Sequence, residues 1–403
     1  MPSMATRALE PGPVLNVVPE QEELMLREAV AGICSDFGPA YSHRKTEEGE
    51  PPTELWDALA ERGYLGVNIP EAYDGGGLGM AALSAVGEEI SAAGCSLLLI
   101  VVSPAIVGSI LARHGTPEQK ERWLRGIGAG TTKVAFAITE PDAGTNSHNL
   151  STSLARDGRR FLLNGQKTYI SGVEAADAVL VVARTRNADG SLGLPCLAIV
   201  DVDAPGFTRT RIPMPSVGPD HQWQLFFDDV EVEEDRLVGG ENGGLGAVFD
   251  GLNPERIMGA SVAAGAGRFA LAKAADYARE RNVWGKPIGT HQGVAHPLAE
   301  AKIELELARL MTQKAAVLYD AGAKGAGEAS NMAKFAAAEA AIHCVDQAIQ
   351  THGGNGFALE YGLAQMWWGV CLTRTAPVSR EMILNYVAEH SLGLPKSYGP
   401  GSA

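Results

Sequence analysis

From Glu20 to about Gly130, apolar residues recur every three or four positions, the spacing of helices that bury one face. Within this stretch Thr116-Pro117-Glu118-Gln119 supplies an N-cap, a proline at the first helical position and a glutamine three residues on, so a helix should start there. The most apolar run, Ser96 to Ala112, falls short of the roughly 20 residues that a membrane span needs, and Pro104 interrupts it. It is expected as a buried core helix. Between about Thr131 and Leu237 the texture changes to short β-rich runs, such as Ala178–Ala183 and Cys196–Val202. Asp157-Gly158, Asn164-Gly165 and Asp189-Gly190 punctuate them as turns, which predicts an antiparallel sandwich or barrel. After Gly239-Gly240-Glu241-Asn242-Gly243-Gly244, long alanine-rich helical patterns return and run almost to the end.

This order predicts an α+β multidomain chain. A mobile arm covers 1–19, a helical domain 20–130, a β domain 131–240, a helical bundle 241–395 and a short tail 396–403. Because the strands form one central block, a doubly wound nucleotide fold is ruled against, and no G-x-G-x-x-G occurs. A nucleotide cofactor would need another cradle.

The net charge of −15 over 403 residues argues against nucleic-acid or anionic-membrane partners, which reward a basic surface. Any anionic ligand must therefore meet local basic residues. The cysteines, Cys34, Cys95, Cys196, Cys344 and Cys371, lie far apart with no CxxC pair and no secretory leader, so reduced thiols and a cytoplasmic location are expected. His291 and His296 have no third ligand near them in sequence, and no metal site is expected.

Five ordered segments carry a resemblance. They are Ala137-Ile138-Thr139-Glu140-Pro141-Asp142-Ala143-Gly144-Thr145-Asn146, Leu163 to Ser171 (LNGQKTYIS), Phe226 to Val232 (FFDDVEV), Tyr277 to Ile288 (YARERNVWGKPI), and Gln350 with Gly353-Gly354-Asn355-Gly356-Phe357. Together they closely resemble the acyl-CoA dehydrogenase family from about Glu20 to Leu394. The resemblance implies an N-terminal helical domain, a central antiparallel β-barrel or sandwich and a C-terminal four-helix bundle. It also implies bound FAD and a homotetramer built as a dimer of dimers, with electrons passing to an electron-transfer flavoprotein.

By that similarity Thr139 would bond the flavin edge near N5, and Tyr169 and Ser171 would lie against the ring and its phosphate side. A turn through Pro141 and Gly144 lets backbone amides and the Thr145 hydroxyl approach a pyrophosphate. Arg281 presents a planar fork that matches phosphate oxygens, and in the family it reaches the FAD of a neighbouring subunit. Trp284, Gln292, Gln350, Gly353, Gly354, Ser379 and Glu381 are carried over to the cofactor in the same way. Asn253, Arg256, Pro377 and Val378, with Thr145, are carried over to the substrate.

Abstraction of a thioester α-proton needs a carboxylate in a dry pocket, where desolvation raises its basicity. Many family members place that glutamate twenty residues beyond the Gly-Gly-x-Gly-Phe turn. Here that position is Pro377, within Thr375-Ala376-Pro377-Val378-Ser379-Arg380-Glu381. Isovaleryl-CoA and long-chain dehydrogenases use instead a glutamate followed by arginine early in the first bundle helix, and Leu252-Asn253-Pro254-Glu255-Arg256 matches that pattern. Glu255 is therefore the expected base, with Glu381 as its rival. Proline at 377 also removes a backbone N–H that holds the thioester oxygen in the family. The expected reaction is α,β-dehydrogenation of an acyl-CoA. Alternatives on the same scaffold are desaturation of a carrier-protein thioester, a flavin oxidase or monooxygenase, and a silent acyl-CoA-binding relative.

Overall fold

The computed structural model describes residues 18–396 apart from 215–217 and 242. Most of the expected arm and tail, and Asn242 of the glycine-rich loop, lie outside the described residues. The N-terminal helices are α1 (Gln21–Ser35), α2 (Gly38–Glu48), α3 (Thr53–Ala60), α4 (Gly79–Ala92), α5 (Gly108–His114) and α6 (Pro117–Gly128). The capping box at α6 forms as its sequence requires: Thr116 Oγ1 accepts from Gln119 N at 3.2 Å and Gln119 Oε1 accepts from Thr116 N at 3.0 Å. The apolar run around Pro104 is buried and helical, but Val101–Val107 winds as a π-turn before α5. Pro104 has no N–H to give the ladder, which explains the local widening.

Strands β1 (Val134–Ala137), β2 (Ser153–Asp157), β3 (Arg160–Ser171), β4 (Ala178–Arg186), β5 (Leu192–Asp201), β6 (Phe207–Ile212), β7 (Gln222–Glu233) and β8 (Leu237–Val238) form one sheet in the order β6-β7-β3-β2-β4-β5-β8. It is mostly antiparallel, as expected, with one departure. β1 and β2 both run parallel to β4 and take successive halves of one of its edges, at Ala178–Val181 and Arg184–Arg186. The segment between them, 138–152, therefore leaves the sheet and returns to the same edge. β4 buries both faces: Val179, Val181 and Ala183 join the core inside the sheet, while Ala178, Leu180 and Val182 join the core shared with the helices. Hence it reads as an unbroken apolar run rather than an alternation.

Asn164-Gly165, expected as a turn, lies within β3. There the partner β7 gains a residue between Phe227 and Val230, Asp229 takes φ +47°, and Asn164 Nδ2 donates to Asp229 Oδ1 at 2.8 Å. The Asn-Gly pair thus marks a bulge, where Gly165 at φ +146° leaves room for Thr152 behind it.

The C-terminal part is built on α7 (Gly244–Glu280), then the small hairpin β9 (Asn282–Val283) and β10 (Lys286–Pro287), α8 (Gln292–Asp320) and α9 (Ala326–His352), with the shorter α10 (Leu363–Leu372) and α11 (Arg380–Tyr386) laid against α9. Glu88 of α4 fastens the two helical parts together. Its carboxylate accepts from Arg27 of α1 at 3.1 Å, Arg268 of α7 at 2.9 Å and Arg309 of α8 at 2.7 Å. Burial opposes charge on Glu88, but the three guanidinium groups outweigh it and hold its carboxyl below the usual range.

Candidate active site

Glu255 stands on α7 directly after Pro254, which sits inside the helix. A proline at 254 cannot donate to the carbonyl of Asp250, and the Tyr319 hydroxyl of α8 fills that gap at 3.2 Å. The helix therefore continues through the proline with its freed carbonyl satisfied by a side chain. One turn beyond Glu255, Gly259 meets the Pro377 ring: a Cβ placed there would lie 3.5 Å from Pro377 Cδ. Residues four apart share a helix face, so Glu255 and the Pro377 segment approach the same region. Burial pushes the Glu255 carboxyl up to about 7, with the neighbouring charges of Arg256 and Lys334 opposing that rise.

Arg256 Nη1 donates to Asn253 Oδ1 at 3.0 Å, whereas its buried Nε has no partner among the described residues. Lys334, on the buried face of α9 and 2% exposed, donates to the carbonyl of Val378. Burial lowers its ammonium to about 8, and Arg256 adds to that lowering while Glu255, Glu339 and Glu381 oppose it. Ser379 caps α11 by accepting from Met382 N at 3.3 Å. Glu381 points elsewhere: its side chain is 74% exposed, 3.8 Å from Arg380 Nη1. The less exposed carboxylate of the two is thus Glu255, which is half-buried.

A second cluster lies on the segment between β1 and β2. Glu140 and Lys167, 2% and 0% exposed at their side chains, form an ion pair at 2.8 Å. Lys167 Nζ also donates to Ile138 O at 2.9 Å, and Glu140 accepts from Ser151 N at 2.6 Å, Ser151 Oγ at 2.7 Å and Thr152 N at 2.9 Å. Thr168 N donates to Thr139 O at 2.9 Å, so the strand end carrying Thr139 is held on both sides. Burial opposes charge on both partners. For Glu140 the Lys167 charge and the converging donors win and bring it well below the carboxylate range; Lys167, with fewer partners, falls to about 8.

Beside this pair β3 gains an extra residue between Lys167 and Ile170 relative to β7, and Tyr169 takes φ +57° and is 60% exposed. Left-handed backbone at a bulky residue costs roughly 1–3 kcal/mol, and here it leaves an aromatic ring exposed directly after Thr168, whose N–H holds Thr139 O. Ser171 Oγ accepts from Gln222 Nε2 at 2.8 Å, while Gly144 and Thr145 are exposed with nothing within 4 Å of a Cβ at 144.

The remaining cofactor candidates gather far away. Arg281 caps the C-terminal end of α7, where Tyr277 stacks on His352 at 4.2 Å and Asn355 Nδ2 donates to the Tyr277 hydroxyl at 3.1 Å. This joins Arg281 to the turn carrying Gly353 and Gly354 at the end of α9, next to Gln350. Trp284 in the adjoining hairpin has φ +53° and is 90% exposed, with its ring edge-on to His291, and Gln292 follows at the start of α8. At 1.5 Å per residue, Arg281 lies about 39 Å along α7 from Glu255. The sheet meets α7 at its opposite end, where Gly244 packs on Pro195 and Cys196. Within one chain, then, Arg281, Trp284, Gln292, Gln350, Gly353 and Gly354 form a group separate from Thr139, Thr145, Tyr169 and Ser171.

Sequence reasoning assigned no role to Lys334 or to the Glu140–Lys167 pair. A signal existed for Lys334, because it falls between Ser330 and Ala337 on a stripe of otherwise small buried residues of α9. A charge at such a position asks for a partner.

The chain belongs to the acyl-CoA dehydrogenase family of flavin-dependent oxidoreductases. Its family models match in chain order: the acyl-CoA dehydrogenase N-terminal domain over 20–131, the middle domain over 135–230 and the C-terminal domain over 242–392. The chain is 54% identical to acyl-CoA dehydrogenase FadE12 of Mycobacterium tuberculosis over 382 residues, which cover 94% of this chain and 98% of that one. It is 33% identical to the caffeyl-CoA reductase-Etf complex subunit CarC of Acetobacterium woodii, over 80% of this chain and 85% of the relative. Among solved structures, the glutaryl-coenzyme A dehydrogenase glutaryl-CoA complex superimposes with a TM-score of 0.90 at 28% identity, covering 96% of this chain and 99% of the other.

Proposed function

We propose that the protein dehydrogenates an acyl-CoA between its α- and β-carbons, with Glu255 as the base, and passes electrons to an electron-transfer flavoprotein. The observation that carries this reading is the meeting of Gly259 and Pro377: the helix bearing Glu255 packs, one turn away, on the segment whose family glutamate is missing. The residues also suit FAD. Tyr169 and Trp284, both exposed and both in left-handed backbone, present rings largely open to solvent, and the Thr139–Thr145 loop is braced from below by buried charges. Bound there, FAD would supply the acceptor for the β-hydride. Thr139, Thr145, Tyr169, Ser171 and, further along, Ser379 and Glu381 would hold it, with Arg281, Trp284, Gln292, Gln350, Gly353 and Gly354 contributed by another copy.

In this mechanism Glu255 takes the α-proton onto its carboxylate. Its burial makes it a stronger base than a solvated glutamate, and Arg256 and Lys334 keep a fraction ionised at neutral pH. The Val378 amide is the first N–H after Pro377 and makes no hydrogen bond among the described residues, so it is available to the thioester oxygen. The CarC relative's name includes an Etf complex, which supports an electron-transfer flavoprotein as acceptor. Self-association is supported by the exposed stripe Ile303, Leu307, Leu310 and Val317 along α8.

Anaerobic titration of the yellow protein with acyl-CoAs of varied length and branching should bleach the flavin absorbance, with re-oxidation by an electron-transfer flavoprotein. A protein that ignores every CoA thioester but is bleached by a carrier-protein thioester would redirect the assignment. Arg281→Ala should weaken FAD binding by about tenfold or more, the loss expected for a charge-assisted hydrogen bond. Light scattering should give four times the 42.3 kDa chain mass. A monomer that keeps its FAD would contradict the shared cofactor.

A further inference from the structure

A lysine that is 2% exposed on an alanine-rich helix face is costly unless it is employed. Lys334 spends its ammonium on one backbone carbonyl, that of Val378, inside a segment whose flanking Arg374 and Arg380 are tied to Glu339 of α9. That segment carries Pro377, in van der Waals reach of Gly259 on α7, and the Val378 N–H, which has no hydrogen-bond partner among the described residues. It is followed at once by Ser379, the N-cap of α11. The charges around Lys334 are Glu255 and Arg256 on α7, Glu339 on its own helix and Glu381 on α11. Of these, Glu339 is engaged by Arg374 at 2.9 Å and Arg380 at 3.1 Å, and Glu381 is exposed. The half-buried carboxylate left for Lys334 to act on is Glu255.

We propose that Lys334 is a positioning residue of the dehydrogenation site, which anchors the 376–379 segment through Val378 O, presents the Val378 N–H beside Glu255, and supplies a fixed positive charge facing that carboxylate. The inference rests on the reading of Glu255 as base. The anchor half of it does not require turnover. A hydrogen bond from an ammonium to a carbonyl in a dry site is among the stronger single tethers a loop can have, and losing it releases the loop without unfolding the bundle. The charge half acts through Glu255: a nearby cation favours its ionised form, so removing the cation raises the pH at which the base becomes competent.

The test uses Lys334→Met, close in length and apolar, and Lys334→Arg, which keeps charge and donors, both in the protein as purified. Hydrogen exchange of the peptide spanning 373–384 should speed up by about tenfold in Lys334→Met, the equivalent of one charged hydrogen bond lost. The acid limb of flavin reduction by acyl-CoA should move to higher pH by about half a unit or more. Lys334→Arg should recover most of both effects. Wild-type exchange together with a wild-type pH limb in Lys334→Met would overturn the proposal. So would equal losses in Met and Arg, because packing and not the cation would then be responsible. If no thioester reduces the wild-type flavin while exchange still responds to Lys334→Met, the base assignment falls and the anchor stands.

Discussion

Glu255→Gln should bind FAD and acyl-CoA and yet reduce the flavin some 10²–10⁴-fold more slowly, the range that a general base contributes. The amide keeps the shape of the carboxylate and cannot accept the α-proton. Glu255→Asp should fall between the two, since a carboxylate survives about one methylene short of its target. The wild-type rate should climb with pH through about 7, because the base acts only when ionised and burial holds its carboxyl near that value. Stopped-flow absorbance of the reductive half-reaction checks all three. A Glu255→Gln rate within a few-fold of wild type would sink the assignment and make Glu381 the next residue to test.

Lys167→Met should be among the most damaging changes in the sheet. It leaves Glu140 charged, buried and without its cation, a situation that costs about 3–5 kcal/mol. Urea denaturation should show that loss, and the protein should purify with less FAD because the Thr139 end of β1 loses its brace at Ile138 O. Pairing it with Glu140→Gln should return part of the stability, since no uncompensated charge remains, but not the cofactor occupancy. Recovery of both would mean that the pair serves stability alone. Acid provides a second view. Glu140 titrates below its ordinary value in the folded chain, so its contribution is complete above about pH 4.5 and disappears as pH falls toward about 2.

Helical periodicity and strand texture made the order of the elements legible, and the capping box at Thr116 formed as read. What escaped were features set by partners distant in sequence. Asn164-Gly165 has the composition of a turn, but the extra residue it accommodates lies on β7, more than sixty positions away. The parallel pairing of β1 and β2 with β4 has no local signature at all, because it depends on which edge was still open. The site divides in the same way. Glu255 was found because the sequence vacates position 377, a contrast visible in one dimension. Glu140 and Lys167 were on the page as parts of a motif, yet nothing in their spacing said that the two charges would be sealed against each other. Lys334 looked like one more charged position in an alanine-rich helix until its burial was known.

Helix α7 carries the proposed base near its start and the proposed cofactor clamp at its end, with about 39 Å between them by helical rise. Under a shared cofactor, each reaction centre takes its two halves from two different chains. Damage to the two halves should then complement in trans. Subunits bearing Glu255→Gln and subunits bearing Arg281→Ala would each be poor alone, but hybrids of the two would bring one intact base to one intact clamp and regain activity that neither parent has.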